Sequence, residues 1–373
     1  MAKWAVEERY AHEDQRRMTR MQVTQSASGK MPDGKRITQL DGLRAIAVLM
    51  VFMSHAVRSQ LLWSGVDLFF ILSGFLITGV LLDLRSQNTW RTYIVAFYKR
   101  RAQRILPPYI LFLIVTSVLF GWAWTHRWYL YFFLMNMPAF APPVPYGHGV
   151  LWSLAVEEQF YLIWPILVYL LSERALAWLS GVLILAAPLL RWFATAYFTR
   201  HWLIYTALPF RMDLLAAGAL IAMVWRHYPA AIFRWGIKGS WLAAIIVFAL
   251  CMLSMHPWFQ PGADTALVNV WLYELILVGY AAGFIWILSG RCVNFLRTRP
   301  MVYLGRISYS VYLIHLAALV FIRQFTRHSL ASAAVALAVT LCYAALSWKW
   351  VEQPILQRHA DAEDLHVPLP NQS

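Results

Sequence analysis

The stretch Leu40–His55, LDGLRAIAVLMVFMSH, is an apolar run with an arginine, Arg44, near one end and a histidine, His55, at the other. An ionisable side chain inside a membrane helix is costly and usually faces a cavity or a partner. Arg44 and His55 are eleven residues apart, which at 100° per residue returns them to nearly one helix face, roughly 16 Å apart along the axis. Either residue alone has an ordinary explanation, the arginine snorkelling to a headgroup layer and the histidine ending the helix at an interface. Together on one face they point to a cavity.

The remainder of the chain makes that run one of many. With 60% hydrophobic and 13% charged residues among 373, the composition lies far outside that of a soluble domain. Apolar windows near the bilayer-spanning length of about 20 residues fall at 40–57, 63–83, 105–124, 151–171, 176–193, 208–225, 240–255, 267–289, 303–322 and 330–350. The expected fold is an all-α polytopic membrane protein, a bundle of about ten transmembrane helices. The net charge of +14 lies between the apolar spans rather than on a soluble aromatic platform, so it is read as topology and an anionic ligand, with no nucleic acid as partner. Cys251, Cys292 and Cys342 are far apart and fit no CxxC or Cys/His spacing, so neither a disulfide nor a metal site is expected.

Basic residues set the orientation, because cytoplasmic loops are enriched in Lys and Arg. They crowd the N-terminal tail and the segment Arg85–Arg104, then recur at Arg174, at Arg226, Arg234 and Lys238, and at Arg291, Arg297 and Arg299. The alternate loops are poor in charge. Both termini are therefore expected in the cytoplasm. Three parts follow: a charged tail over 1–36, a membrane domain over 37–355 and a short tail over 356–373. The tail over 1–36 lacks the apolar core of a cleavable signal, so the first span is expected to serve as the insertion signal.

Further polar groups interrupt the spans. In Phe97–Tyr109, FYKRRAQRILPPY, Arg101 and Arg104 are one helical turn apart and can grip phosphate together, although anchoring to anionic lipid would use them too. In His148–Pro165, HGVLWSLAVEEQFYLIWP, the residues Ser153, Glu157 and Tyr161 recur at four-residue intervals as a polar stripe, with Glu158 on another face. A glutamate in an apolar helix needs a partner or is driven neutral, which suits general acid or base work. Gly65–Gly79 adds Asp67, which needs a donor, and Ser73. Leu304–Leu316 adds Arg306, Ser308, Tyr309, Tyr312 and His315; helix packing and interfacial anchoring explain most of these, and His315 fits a satisfied core histidine equally well.

Taken in order, ITQLDGLRAIAVLMVFMSH, GVDLFFILSGFLI, FYKRRAQRILPPY, LWSLAVEEQFYLIWP, FRMDLLAAGALIA, LGRISYSVYLIHL and VEQP resemble the successive motifs of the acyltransferase-3 family of integral membrane acyltransferases, from about residue 37 to 355. The resemblance implies transfer of an acyl group, commonly acetyl from acetyl-CoA, to a hydroxyl of a glycan or glycolipid, in the cytoplasmic (inner) membrane of a bacterium. The donor is a co-substrate; no permanently bound cofactor is implied. The family's Arg/Lys-x10-His pattern falls on Arg44 and His55, and its Arg-x-x-Arg on Arg101 and Arg104. His55 is then the expected base, with Glu157 its orienter or proton partner, Arg44 on the path of the acyl carrier, and Arg101 and Arg104 on the CoA phosphates. A covalent intermediate on His55 or Tyr309 is the alternative route. The esterase-like domain that some members add is not expected here. A transporter or lipid-linked glycan flippase would also bury Arg, His and Glu in a polytopic bundle, but it has no need of Arg101 and Arg104.

Overall fold

The computed structural model describes residues 37–57, 61–121, 127–137, 147–197, 201–254, 265–326 and 329–357; the expected tails, 1–36 and from 358 onward, lie outside the described residues. Every regular element among the described residues is helical. The helices are α1 (Thr38–Val57), α2 (Gly65–Gln87), α3 (Trp90–Phe120), the short α4 (Trp128–Tyr131), α5 (Leu151–Leu170), α6 (Glu173–Tyr197), the short α7 (His201–Thr206), α8 (Met212–His227), α9 (Pro229–Ser254), α10 (Tyr273–Ser289), α11 (Arg299–Phe325) and α12 (Leu330–Ser347). Eight of them are long and apolar enough to cross a membrane. Each of the ten expected windows falls on helix over most of its described residues; the two outside those eight are α5, whose middle holds Glu157, Glu158 and Gln159, and α8, which has only 16 residues. The protein is an all-α polytopic membrane protein.

One boundary differs usefully from expectation. The basic segment before residue 105 reads as a loop, yet α3 begins at Trp90 and carries Arg91 through Arg104 as helix. Its Tyr93 and Phe97 are fully buried, and the Tyr93 hydroxyl donates to the Pro165 carbonyl on α5 at 2.9 Å. Burial of one aromatic stripe thus extends the helix beyond its apolar part, as tertiary packing does for an amphipathic segment. At the other end of the chain, α12 runs on through a π-helical turn, Trp348–Glu352, and continues to 357, so Glu352 enters the bundle instead of lying beyond the last span.

Small residues set the packing. The closest helix pairs are α9 with α10, α2 with α8, α1 with α11, and α11 with α12. Between α2 and α8 the backbones touch reciprocally: a Cβ on Gly74 would strike the Leu215 carbonyl, and one on Gly218 the Ile71 carbonyl. Without a hydrophobic force between helices in lipid, such approach is what gives dispersion and polar contacts their purchase. A polar contact joins helices inside the bundle where the buried Trp164 indole donates to Thr78 at 2.9 Å. Large apolar side chains such as Trp178, Leu185, Phe193, Trp241 and Phe248 instead point outward from α6 and α9, the faces a bilayer would cover.

Candidate active site

Five helices converge on a cavity with room for water of about 130 Å³. α1 supplies Arg44, α2 Phe69 and Ser73, α3 Arg101 and Arg104, α5 Ser153, Glu157 and Tyr161, and α11 Ser308, Tyr309 and Tyr312. The stripe expected on α5 therefore faces the cavity intact. So do both arginines of the Arg-x-x-Arg pair. Three guanidiniums against one carboxylate make the lining cationic, as an anionic ligand requires.

Each charge has a defined setting. Arg44 is held by Asp41 one turn earlier, Nη1 to Oδ1 at 3.1 Å. The Arg101 guanidinium lies 5.6 Å from the Tyr161 ring centre, and that of Arg104 lies 5.6 Å from Trp348. Arg104 also donates to the Arg306 carbonyl at 3.3 Å and sits 3.8 Å from Glu352. The Tyr161 hydroxyl donates to Glu157 at 3.0 Å, and Ser73 hydrogen-bonds the same carboxylate. The Tyr309 hydroxyl donates to the Ile105 carbonyl at 3.3 Å, which ties α11 to α3 beside the arginines.

The far wall is built by Tyr312. Its hydroxyl donates to the Val150 carbonyl at 3.0 Å and makes a short hydrogen bond with Ser153. One turn further along α11 lies His315, whose ring is 5.7 Å from that of Tyr312 and 5.1 Å from that of His55. His55 is thus next to the wall rather than in the lining. Its ring Nδ1 is 2.9 Å from the Val51 carbonyl and 3.4 Å from His315 Nε2. Arg323 on α11 caps the end of α1 by donating to the His55 and Ala56 carbonyls, at 3.3 and 2.7 Å.

Several expectations are corrected by this geometry. Glu157 has Tyr161 and Ser73 as partners in place of His55, because the α5 stripe faces the Arg101 end of the cavity while His55 meets α11. Asp67 finds its donor, but away from the cavity: it pairs with Arg211, both fully buried. Glu158 lies off the lining, as its separate face predicts. Arg306 is exposed and contributes only its carbonyl. Glu352 was not among the expected residues, and Tyr312, noted on its helix without a role, lines the cavity. Glu352 is buried, accepts from Ser310 at 2.7 Å and from Ser347 at 3.3 Å, and faces Arg104. The signal for it was the VEQP motif; its placement outside the last apolar window hid it.

Among the described residues, no group of three or more His, Cys, Asp or Glu could hold a metal ion. No solved structure matches the chain. The curated relatives include the O-acetyltransferase OatA of Staphylococcus aureus (strain NCTC 8325 / PS 47), 26% identical over 88% of this chain and 58% of the relative. They also include the putative peptidoglycan O-acetyltransferase YrhL of Bacillus subtilis (strain 168), 29% identical over 86% of this chain and 55% of the relative. The chain therefore spans somewhat over half the length of these relatives. Residues 37–349 match a family described as "Acyltransferase domain", the same helices that build the cationic cavity and its histidine wall. That match decides against the transporter reading: the chain belongs to the acyltransferase-3 family of acyl-transferring enzymes.

Proposed function

We propose that the protein is an O-acetyltransferase of a bacterial cytoplasmic membrane, moving acetyl from acetyl-CoA to a hydroxyl of a carbohydrate, with peptidoglycan the first acceptor to test. The observation that carries this reading is a cavity lined by three guanidiniums with a histidine pair next to its Tyr312 wall. Arg101 and Arg104 would hold the CoA phosphates, bidentate and charge-assisted. Arg44 lies between them and His55, which is roughly 16 Å further along α1, within reach of an extended pantetheine arm. His55 then takes the proton from the acceptor hydroxyl as its oxygen attacks the thioester carbonyl. The C–O bond forms, the C–S bond breaks, and the CoA thiolate leaves and recovers a proton from the imidazolium. The Ser308 hydroxyl, in the cavity lining, would donate to the developing oxyanion.

The positions of the two ends also suggest sidedness. With both termini in the cytoplasm, the arginine end faces the soluble donor and the His55 end faces an acceptor from the other side of the membrane. The relatives' printed names, O-acetyltransferase and putative peptidoglycan O-acetyltransferase, support this choice of chemistry.

The test is transfer by purified protein reconstituted in oriented vesicles, with labelled acetyl-CoA on one side and impermeant peptidoglycan fragments on the other. Acetylated glycan should appear on the side opposite to the donor, and His55→Ala should abolish it while the protein stays folded. Product confined to the donor side would overturn the transmembrane path. A folded His55→Ala protein of normal rate would overturn the base.

A further inference from the structure

We propose that His315 is the positioning residue of His55: beside the Val51 carbonyl it is the second acceptor for His55 Nδ1–H, in the tautomer that leaves Nε2 as the base, and it faces the charge that forms when that base is protonated. The proposal rests on the reading of His55 as the base, and it comes from the hydrogen-bond bookkeeping of two rings.

His315 is fully buried on α11, and its Nδ1 lies 2.6 Å from the Tyr312 carbonyl of its own helix. A carbonyl only accepts, so Nδ1 carries the proton and the neutral ring keeps a lone pair on Nε2. That lone pair is aimed at His55 Nδ1, 3.4 Å away. His55 Nδ1 in turn lies 2.9 Å from the Val51 carbonyl, a second pure acceptor. Both groups facing His55 Nδ1 therefore accept. One tautomer satisfies all of these contacts: Nδ1–H on both rings, with His55 Nε2 unprotonated. The nearer contact of His55 Nδ1–H is with Val51, and the longer one to His315 makes it a shared, three-centre arrangement.

A core histidine packed for bulk would need no second ring. Here the side chain that His315 Nε2 meets is the proposed base. When His55 Nε2 takes the acceptor proton, its Nδ1–H becomes a charged donor, and charge-assisted hydrogen bonds are shorter and stronger than neutral ones. His315 meets that donor with a lone pair in a setting from which water is excluded. Phe52, with its ring 6.4 Å from that of His315, packs against it, and Arg323 fixes the backbone end of α1 through the His55 and Ala56 carbonyls. The pair does for a membrane base what an orienting group does for a histidine in water-soluble acyl transfer: it selects the ring nitrogen that works.

The test compares His315→Leu, which keeps the bulk and removes the acceptor, with His315→Gln, whose side-chain carbonyl can accept from His55 Nδ1. Measured on the full chain with acetyl-CoA and peptidoglycan fragments, His315→Leu should lower kcat about 10²-fold with KM for acetyl-CoA unchanged. His315→Gln should recover activity to within about 10-fold of wild type, and the double variant His55→Ala, His315→Leu should be no worse than His55→Ala alone, since groups acting as a unit are non-additive. A readout independent of turnover is the nitrogen NMR spectrum of histidine-labelled protein. The signal lost in His55→Ala should report the Nδ1–H tautomer in wild type, and its Nδ1 resonance should shift in His315→Leu as the shared acceptor is lost. A His315→Leu enzyme with wild-type kcat and an unchanged His55 Nδ1 resonance would overturn the proposal, as would equal losses in Leu and Gln variants that track a fall in melting temperature. If His55→Ala itself keeps the rate, it is the base assignment that fails, and the His55 Nδ1 resonance in His315→Leu still judges the pairing.

Discussion

Two regions of this bundle bury several charges each, and they are built on opposite plans. Around the cavity, Arg44, Arg101 and Arg104 stand on three different helices, and Arg104 and Arg44 both keep 29% of their side-chain surface exposed. In the other region, Arg191 on α6 is fully buried, 2.8 Å from Asp213 and 2.6 Å from Glu274, and donates to the Phe210 carbonyl at 2.6 Å. Arg211 beside it pairs with Asp67 and stacks over Tyr273, 4.8 Å from the ring centre. None of these five ionic side chains lines the cavity. The first region holds cationic charge open to a ligand; the second consumes its charge internally, tying α2, α6, α8 and α10 together. In lipid, where buried charges must be paired, the same residue types thus serve as a binding surface in one place and as a fastener in the other.

The largest effect should come from unfastening the second region. Arg191→Ala leaves Asp213 and Glu274 without their shared cation, and breaking one side of a buried ionic cluster costs about 3–5 kcal/mol. The expected outcome is a large fall in melting temperature and yield in detergent. An unchanged melting curve would place this cluster with the binding surface after all. Arg101→Ala is the contrasting change: the protein should melt as wild type, while calorimetry shows acyl-CoA binding weakened by about 1.5–3 kcal/mol for the lost charge-assisted contact. Equal affinity for acyl-CoA would reduce Arg101 to an anchor for the lipid surface.

This contrast was only half legible in the sequence. Spacing alone put Ser153, Glu157 and Tyr161 on one stripe and Arg101 with Arg104 on one turn, because helical periodicity is local and survives in a membrane. The bundle of apolar helices was legible for the same reason. What spacing cannot give is which helix a polar face meets. Asp67 was expected to need a donor, but that the donor is Arg211, 144 residues later, depends on the close approach of α2 and α8 at Gly74 and Gly218. The partner of His55 was misassigned to Glu157 for the same reason: both are suitable chemically, and only the packing of α11 on α1 brings His315 to it. Glu352 was hidden by hydropathy, since an apolar window ends at a charged residue even where a π-helical turn carries the chain onward.

The smallest expected effect probes the border between the two plans, where Glu352 partly neutralises Arg104. Its Oε1 accepts from Ser310 and Ser347, and its Oε2 is 3.8 Å from the guanidinium. Glu352→Gln keeps an oxygen for the two serines and removes the charge. The position of Arg104 should persist, since the Arg306 carbonyl and Trp348 also hold it. What changes is competition: the carboxylate no longer draws on a cation that a CoA phosphate would use. Because this pair is long and Arg104 is part-exposed, the gain is at most about 1 kcal/mol. Calorimetry at low salt should therefore show acyl-CoA binding up to about 5-fold tighter in Glu352→Gln, with the difference shrinking as salt is raised. Glu352→Ala should behave differently, losing about 1–3 kcal/mol of stability as two buried hydroxyls lose their acceptor. If Glu352→Gln binds acyl-CoA more weakly than wild type, Glu352 belongs with the fasteners, and Arg104 needs it to be held in place.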